Sequence, residues 1–108
     1  MTNVQFVKHN GSYVGVVCEG HADYADFGED IVCASISAIV GSTYLGLTQV
    51  LGIKAKITRR DDDGYVEIRL PKNISDDKLK DAQIIFETMK VSLLDICKGY
   101  PKNINVEV

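Results

Sequence analysis

Apolar and polar positions along this chain follow a two-residue period at first, then lose their charges, and later settle into a three-to-four-residue period; the switches mark seven elements. Val4 and Phe6 alternate with Gln5 and Val7, which predicts a strand over residues 3 to 8. Asn10-Gly11 is a strong two-residue hairpin signal. Residues 12 to 19 return as a second strand, with Val14, Val16 and Cys18 on one face and Tyr13, Gly15, Val17 and Glu19 on the other. Gly20 ends it, and the aperiodic HADYADFGE, residues 21 to 29, reads as a loop.

From Ile31 to Ile53 there is no charged residue. The length would suit a membrane span, but Ser35, Ser37, Ser42, Thr43, Thr48 and Gln49 are polar and Gly41, Gly46 and Gly52 are poor helix formers. A helix covered on more than one side is expected, with one face on the sheet and the other on a second helix or a second subunit. Ile53, Ala55 and Ile57 alternate with Lys54, Lys56 and Thr58 as a third strand. The run Asp61-Asp62-Asp63-Gly64 is a turn, and Val66, Ile68 and Leu70 mark a fourth strand closed by Pro71. Ser75 is placed to cap a second helix with an apolar stripe of Leu79, Ala82, Phe86, Met89, Leu93, Ile96 and Cys97. Gly99 and Pro101 stop it, and Ile104, Val106 and Val108 form a last strand. The expected fold is therefore α+β, in the order β-β-α-β-β-α-β: a single layer of mainly antiparallel sheet with two long helices packed on one face.

Length sharpens this to one domain, since 108 residues leave no room for a second. The net charge of −3 argues against a nucleic-acid surface as the main task. No leader segment is recognised at the start, so the cytoplasm is expected. Thiols stay reduced there, and the odd set Cys18, Cys33 and Cys97 needs a reading other than disulfides.

The candidate chemistry lies around the start of the first helix. Asp30 is a suitable N-cap, which puts Cys33 in the first turn. A helix terminus contributes about 0.3–1 kcal/mol, whereas one pKa unit is worth about 1.36 kcal/mol. The dipole alone therefore leaves an ordinary thiol, of pKa about 8.5, mostly protonated near neutral pH. A reactive thiolate also needs a cationic neighbour, and His21 is the available one if the 21-to-29 loop brings it back. The backbone N–H groups at the helix start are candidate oxyanion donors. Spacing alone leaves the plain readings open: a surface histidine and a core cysteine.

The run GHADYADFGEDIVCASISA, residues 20 to 38, resembles the active-site segment of the Prp family, the ribosomal-processing cysteine proteases. Gly20-His21-Ala22, Gly28-Glu29-Asp30-Ile31-Val32-Cys33-Ala34 and Ser37-Ala38 carry the match, together with the Gly-Tyr-Pro before the last strand. The resemblance implies Cys33 as nucleophile and His21 as general base. It also implies a homodimer, and as activity the removal of a short N-terminal extension from the large-subunit ribosomal protein numbered twenty-seven.

Beside that pair, Asp30 is expected to cap the helix and is a possible orienter of His21. Ser37, one turn after Cys33, could meet the thiolate or a substrate carbonyl. Gly20 and Gly28 bound the loop 22 to 29, read as a lid over a bound peptide with Tyr24 and Phe27 as its aromatics. No cofactor and no metal are expected. The competing reading is a non-catalytic ribosome-associated binding module, with zinc on Cys18, His21 and Cys33 and a basic strip at Lys54, Lys56, Arg59 and Arg60. Neither a membrane nor direct nucleic-acid binding is expected.

Overall fold

The computed structural model describes residues 1–26 and 28–108. Strands β1 (Thr2–His9) and β2 (Ser12–Glu19) lead into helix α1 (Ile31–Leu45); β3 (Lys56–Arg60) and β4 (Tyr65–Arg69) lead into α2 (Asp76–Gly99); β5 (Ile104–Glu107) ends the chain. The five strands form one sheet in the order β3-β4-β2-β1-β5. Three of its pairings are antiparallel and the fourth, β1 with β5, is parallel. This is the expected α+β architecture and element order.

Asn10 and Gly11 both take positive φ, 51° and 81°, as a hairpin turn that follows the sheet twist requires. One detail of that hairpin departs from the simple alternation. Val7 pairs with Gly15 but Lys8 with Tyr13, so Val14 is the extra residue of a bulge. The bulge reverses the facing of everything before it on β2. Tyr13, expected opposite Val16 and Cys18, joins them in the core. Its ring packs edge-on to Phe6 at 5.4 Å and near Phe86 of α2 at 6.2 Å. Gln83 of α2 accepts from the Tyr13 N–H (2.7 Å) and donates to its carbonyl (2.8 Å), tying helix to bulge.

The first helix is shorter than the charge-free run. It is α-helical to Leu45 and continues through a π-helical turn at Gly46–Val50. The third strand begins at Lys56, not Ile53, and runs on to Arg60. Ile53 is buried and Ala55 half-buried, so the apolar alternation is real, but it lies in an extended connection before the ladder begins. The Ile53 N–H donates to the Leu47 carbonyl at 2.9 Å, folding this connection back on the π-helical turn.

A single core joins the helices to one side of the sheet: Val4, Phe6, Val16 and Ile68 meet Phe86, Met89 and Leu93 of α2 and Val32, Ile36 and Val40 of α1. The segment Ile31–Val50 is long and apolar enough to cross a membrane by length and composition. One stripe of it is packed into this core, while Ile31, Leu45 and Val50 stand more than half exposed.

Candidate active site

At the end of the sheet where β2 finishes and β3 turns into β4, a cleft of about 400 Å³ opens between the sheet and α1. Cys33, Ile36 and Ser37 line it from α1, Gly20 and His21 from the end of β2, and Arg59 from β3. Cys18 and Val66 lie deeper along the same wall. The structure thus brings His21, Cys33, Ser37 and Gly20 to one cavity. Gly28, expected to contact substrate, is not among the residues lining it.

His21 reaches the cleft by a route that the sequence did not show. The expected carrier was the 21-to-29 loop. Instead, β4 pairs directly with β2, and this places the Asp61–Gly64 turn beside the end of β2. The Gly20 N–H donates to the Asp63 carbonyl at 3.1 Å, and the Thr2 hydroxyl donates to the Gly20 carbonyl at 3.0 Å. His21 Nε2 lies 3.4 Å from the Asp62 carbonyl. Gly20 has φ +92°, and a Cβ there would strike the Met1 carbonyl. Gly64 (φ +63°) has no more room: a Cβ would stand 2.9 Å from the Gly20 carbonyl and 3.2 Å from His21 Cε1. Strand order is a non-local property, so no local pattern could have announced this contact. Nor did Thr2 or the turn carry a signal that would have marked them as parts of the site.

Asp30 caps α1 as expected. Its Oδ1 accepts the Cys33 N–H at 2.8 Å, and its Oδ2 accepts the N–H groups of Tyr24 (2.9 Å) and Ala25 (3.3 Å). Partial desolvation pushes its pKa up, but the backbone N–H groups of Cys33, Tyr24, Ala25 and Val32 together outweigh that and hold it below the usual carboxylate value. Among the described residues, every hydrogen bond to this carboxylate comes from backbone and none from His21. Asp30 orders the helix start and the loop, not the imidazole. The same contacts revise the expected oxyanion site. The Cys33 N–H is taken by Asp30 Oδ1, and the Ala34 N–H donates to the Asp30 carbonyl at 3.0 Å.

The loop expected to act as a lid is anchored over its first half. Ala22 is fully buried and its carbonyl accepts from Asn103 Nδ2 at 3.0 Å. The Tyr24 ring meets Tyr100 edge-on at 5.3 Å. The Gly-Tyr-Pro segment before β5 therefore supports the loop through Tyr100. Phe27, expected as one of the lid's aromatics, lies outside the described residues.

The three cysteines occupy different surroundings. Cys18 is buried, and burial pushes its thiol up to about 12, so it stays protonated at neutral pH. Cys97 is half-buried, its Sγ 3.3 Å from the Ile104 carbonyl. Cys33 is half-buried at the cleft wall. Among the described residues, no three His, Cys, Asp or Glu side chains come together as a metal-binding group. On the basic strip, Arg60 pairs with Asp63 at 3.3 Å and lies 3.9 Å over the Tyr65 ring, and Arg59 faces the cleft.

A thiol in the first turn of a helix, sharing a cleft with a histidine on a two-layer α+β scaffold, is the layout of a cysteine peptidase. The model of the family described as "Cysteine protease Prp" matches residues 1–105. The ribosomal processing cysteine protease Prp of Staphylococcus aureus (strain Mu50 / ATCC 700699) is 33% identical over 100 residues, covering 93% of this chain and 91% of that protein. Its counterpart in Bacillus subtilis (strain 168) is 29% identical over 99 residues, 92% and 88% of the two chains. A crystal structure of the S. aureus protease with a covalently linked product peptide superposes with a TM-score of 0.85 at 32% identity, covering 99% of this chain and 98% of that one. The chain belongs to the Prp family of cysteine proteases.

Proposed function

We propose that this peptidase removes the short N-terminal extension of a large-subunit ribosomal protein, the one numbered twenty-seven, with Cys33 as nucleophile and His21 as general base and acid. The observation that carries the reading is that both side chains line the same cleft. It is supported by the family match, by the ribosomal-processing activity in the names of the relatives, and by the covalently held product in the S. aureus structure. In the first step His21 takes the proton from Cys33, and sulfur attacks the scissile carbonyl carbon. The C–N bond breaks as the imidazolium returns the proton to the leaving amine, which leaves a thioester. In the second, His21 takes a proton from water, the hydroxide attacks the thioester, and the carboxyl product leaves as the thiol reforms. Ser37 and Gly20, which line the same cleft, would contact the bound peptide.

The protein would act as a homodimer. Ile84 and Val91 on α2 and Leu45 and Val50 at the end of α1 are more than half exposed, an apolar surface that a second copy would cover. The proposed compartment is the cytoplasm, where the thiol stays reduced. The test is incubation with a peptide spanning the extension of the host's own ribosomal protein, with mass analysis of the products. One cut at the extension, lost in both Cys33→Ala and His21→Ala, is the expected result. Cleavage by the Cys33→Ala protein would refute the reading.

A further inference from the structure

We propose that Thr2 and the Asp61–Gly64 turn form the positioning apparatus of His21, and that Nδ1 is the ring nitrogen that serves Cys33. This rests on the reading of His21 and Cys33 as the working pair.

A carbonyl oxygen has no proton to donate, so the 3.4 Å contact between Asp62 O and His21 Nε2 favours the ring with its hydrogen on Nε2. In the neutral ring the lone pair is then on Nδ1, and only Nδ1 can take a proton from a thiol. The orienting partner is a main-chain carbonyl on a turn. Of the nearby carboxylates, that of Asp30 is held by backbone N–H groups and that of Asp63 by Arg60, while Asp61 lines the same cleft; among the described residues none of the three hydrogen-bonds His21.

The clamp upstream explains how the ring is held in place. The β1–β2 ladder ends at Asn3 and Glu19, one residue short of Thr2 and Gly20. The Thr2 N–H is turned the other way, to the Asn103 carbonyl at 2.9 Å. A Thr2–Gly20 pair would exchange no backbone hydrogen bond, since the Gly20 N–H also faces away, to the Asp63 carbonyl; the Thr2 hydroxyl supplies a side-chain donor to the Gly20 carbonyl instead. With the Gly20 N–H on Asp63 O, the residue before His21 is gripped from β1 on one side and from the turn leading into β4 on the other. Thr2 is 3% exposed, so this hydroxyl is a buried donor facing one acceptor.

The test uses ¹⁵N-histidine-labelled full-length protein carrying Cys33→Ala, above the ordinary histidine titration range. Two-bond proton–nitrogen couplings then report the tautomer, with exposed His9 as the internal comparison. His21 should show Nε2 protonated and Nδ1 bare, and adding Thr2→Val should shift it towards a mixture. An Nδ1-protonated ring, or a pattern indifferent to Thr2→Val, overturns the proposal. In the enzyme with Cys33 intact, Thr2→Val should lower kcat about ten- to a hundredfold with little change in KM, and Thr2→Ser should restore it. Equal kcat in the Val and Ser variants also overturns it. If Thr2→Val does not fold, Thr2→Ala, which removes the same donor without added bulk, takes its place in the tautomer measurement. Cleavage that survives Cys33→Ala would instead sink the peptidase pair, and the tautomer result would stand apart from it.

Discussion

The two helices lie side by side on the same face of the sheet, yet they are built by opposite rules. In α2 the buried residues Ala82, Phe86, Met89 and Leu93 recur every three or four positions, with charges elsewhere on its surface. Its ends are conventional too: Ser75 accepts the Lys78 N–H, Asp76 and Asp77 complement the positive end, and Lys98 the negative end. The first helix has no charged residue, no acid in its first turn and no base in its last, and Asp30 alone orders its start. The difference is between a helix stabilised along its whole length and one whose important feature is a single end. The first supplies the core. The second holds a thiol at a cleft, and leaves an apolar flank uncovered.

That contrast can be broken in a definite order. The largest effect expected is on chemistry at the α1 end. Cys33→Ala should abolish peptide cleavage with the melting temperature nearly unchanged, measured by mass analysis and calorimetry. On α2 the corresponding blow is structural: Phe86→Ala should cost about 3–5 kcal/mol in urea unfolding, while the fraction still folded cleaves normally. Loss of turnover in folded Phe86→Ala protein would show that the two regions are not separable in this way.

A smaller effect separates the caps. Asp30→Ala should cost about 1–2 kcal/mol and also slow cleavage, because the same carboxylate holds the Tyr24–Ala25 backbone and the Cys33 N–H. Ser75→Ala should cost about 1 kcal/mol with turnover unaffected. Equal kinetic effects would remove the special status of the α1 end. The pH dependence follows from the lowered Asp30 pKa. Its stabilising contribution is complete above the ordinary carboxylate value, about 3.9, and is lost as pH falls through the lower folded value. Acid unfolding of Asp30→Asn should lack this component.

The finest test compares thiols. Iodoacetamide at neutral pH should label Cys33 first and Cys18 last, since the Cys18 thiol is pushed up to about 12 and buried. Peptide mapping gives the order, and equal rates would contradict an accessible cleft thiol. The same burial gives Cys18 a stability signature of opposite sense to Asp30. Its contribution is complete below the unfolded thiol pKa, about 8.5, and declines as pH rises from there towards about 12. In Cys18→Val, denaturant unfolding should show a flatter decline over that range.

The amino-acid sequence by itself determined everything that depends on neighbours a few residues apart. The alternation of β1, the Asn10-Gly11 turn, the stripe of α2 and the Ser75 and Asp30 caps are local preferences, and the fold class follows from their order. The site was legible as residues, because the run from Gly20 to Ala38 carries a family-like pattern. Its assembly was not. Which strand lies beside β2, and so which turn faces His21, depends on pairings between residues some fifty positions apart. The facing of Tyr13 turned on one bulged residue in the register with β1. The arrangement of the cleft was therefore decided by tertiary structure. A histidine expected to depend on its loop instead lies 3.4 Å from the Asp62 carbonyl, with Gly20 before it bonded to Thr2 and Asp63, because only the closed sheet brings those groups within reach.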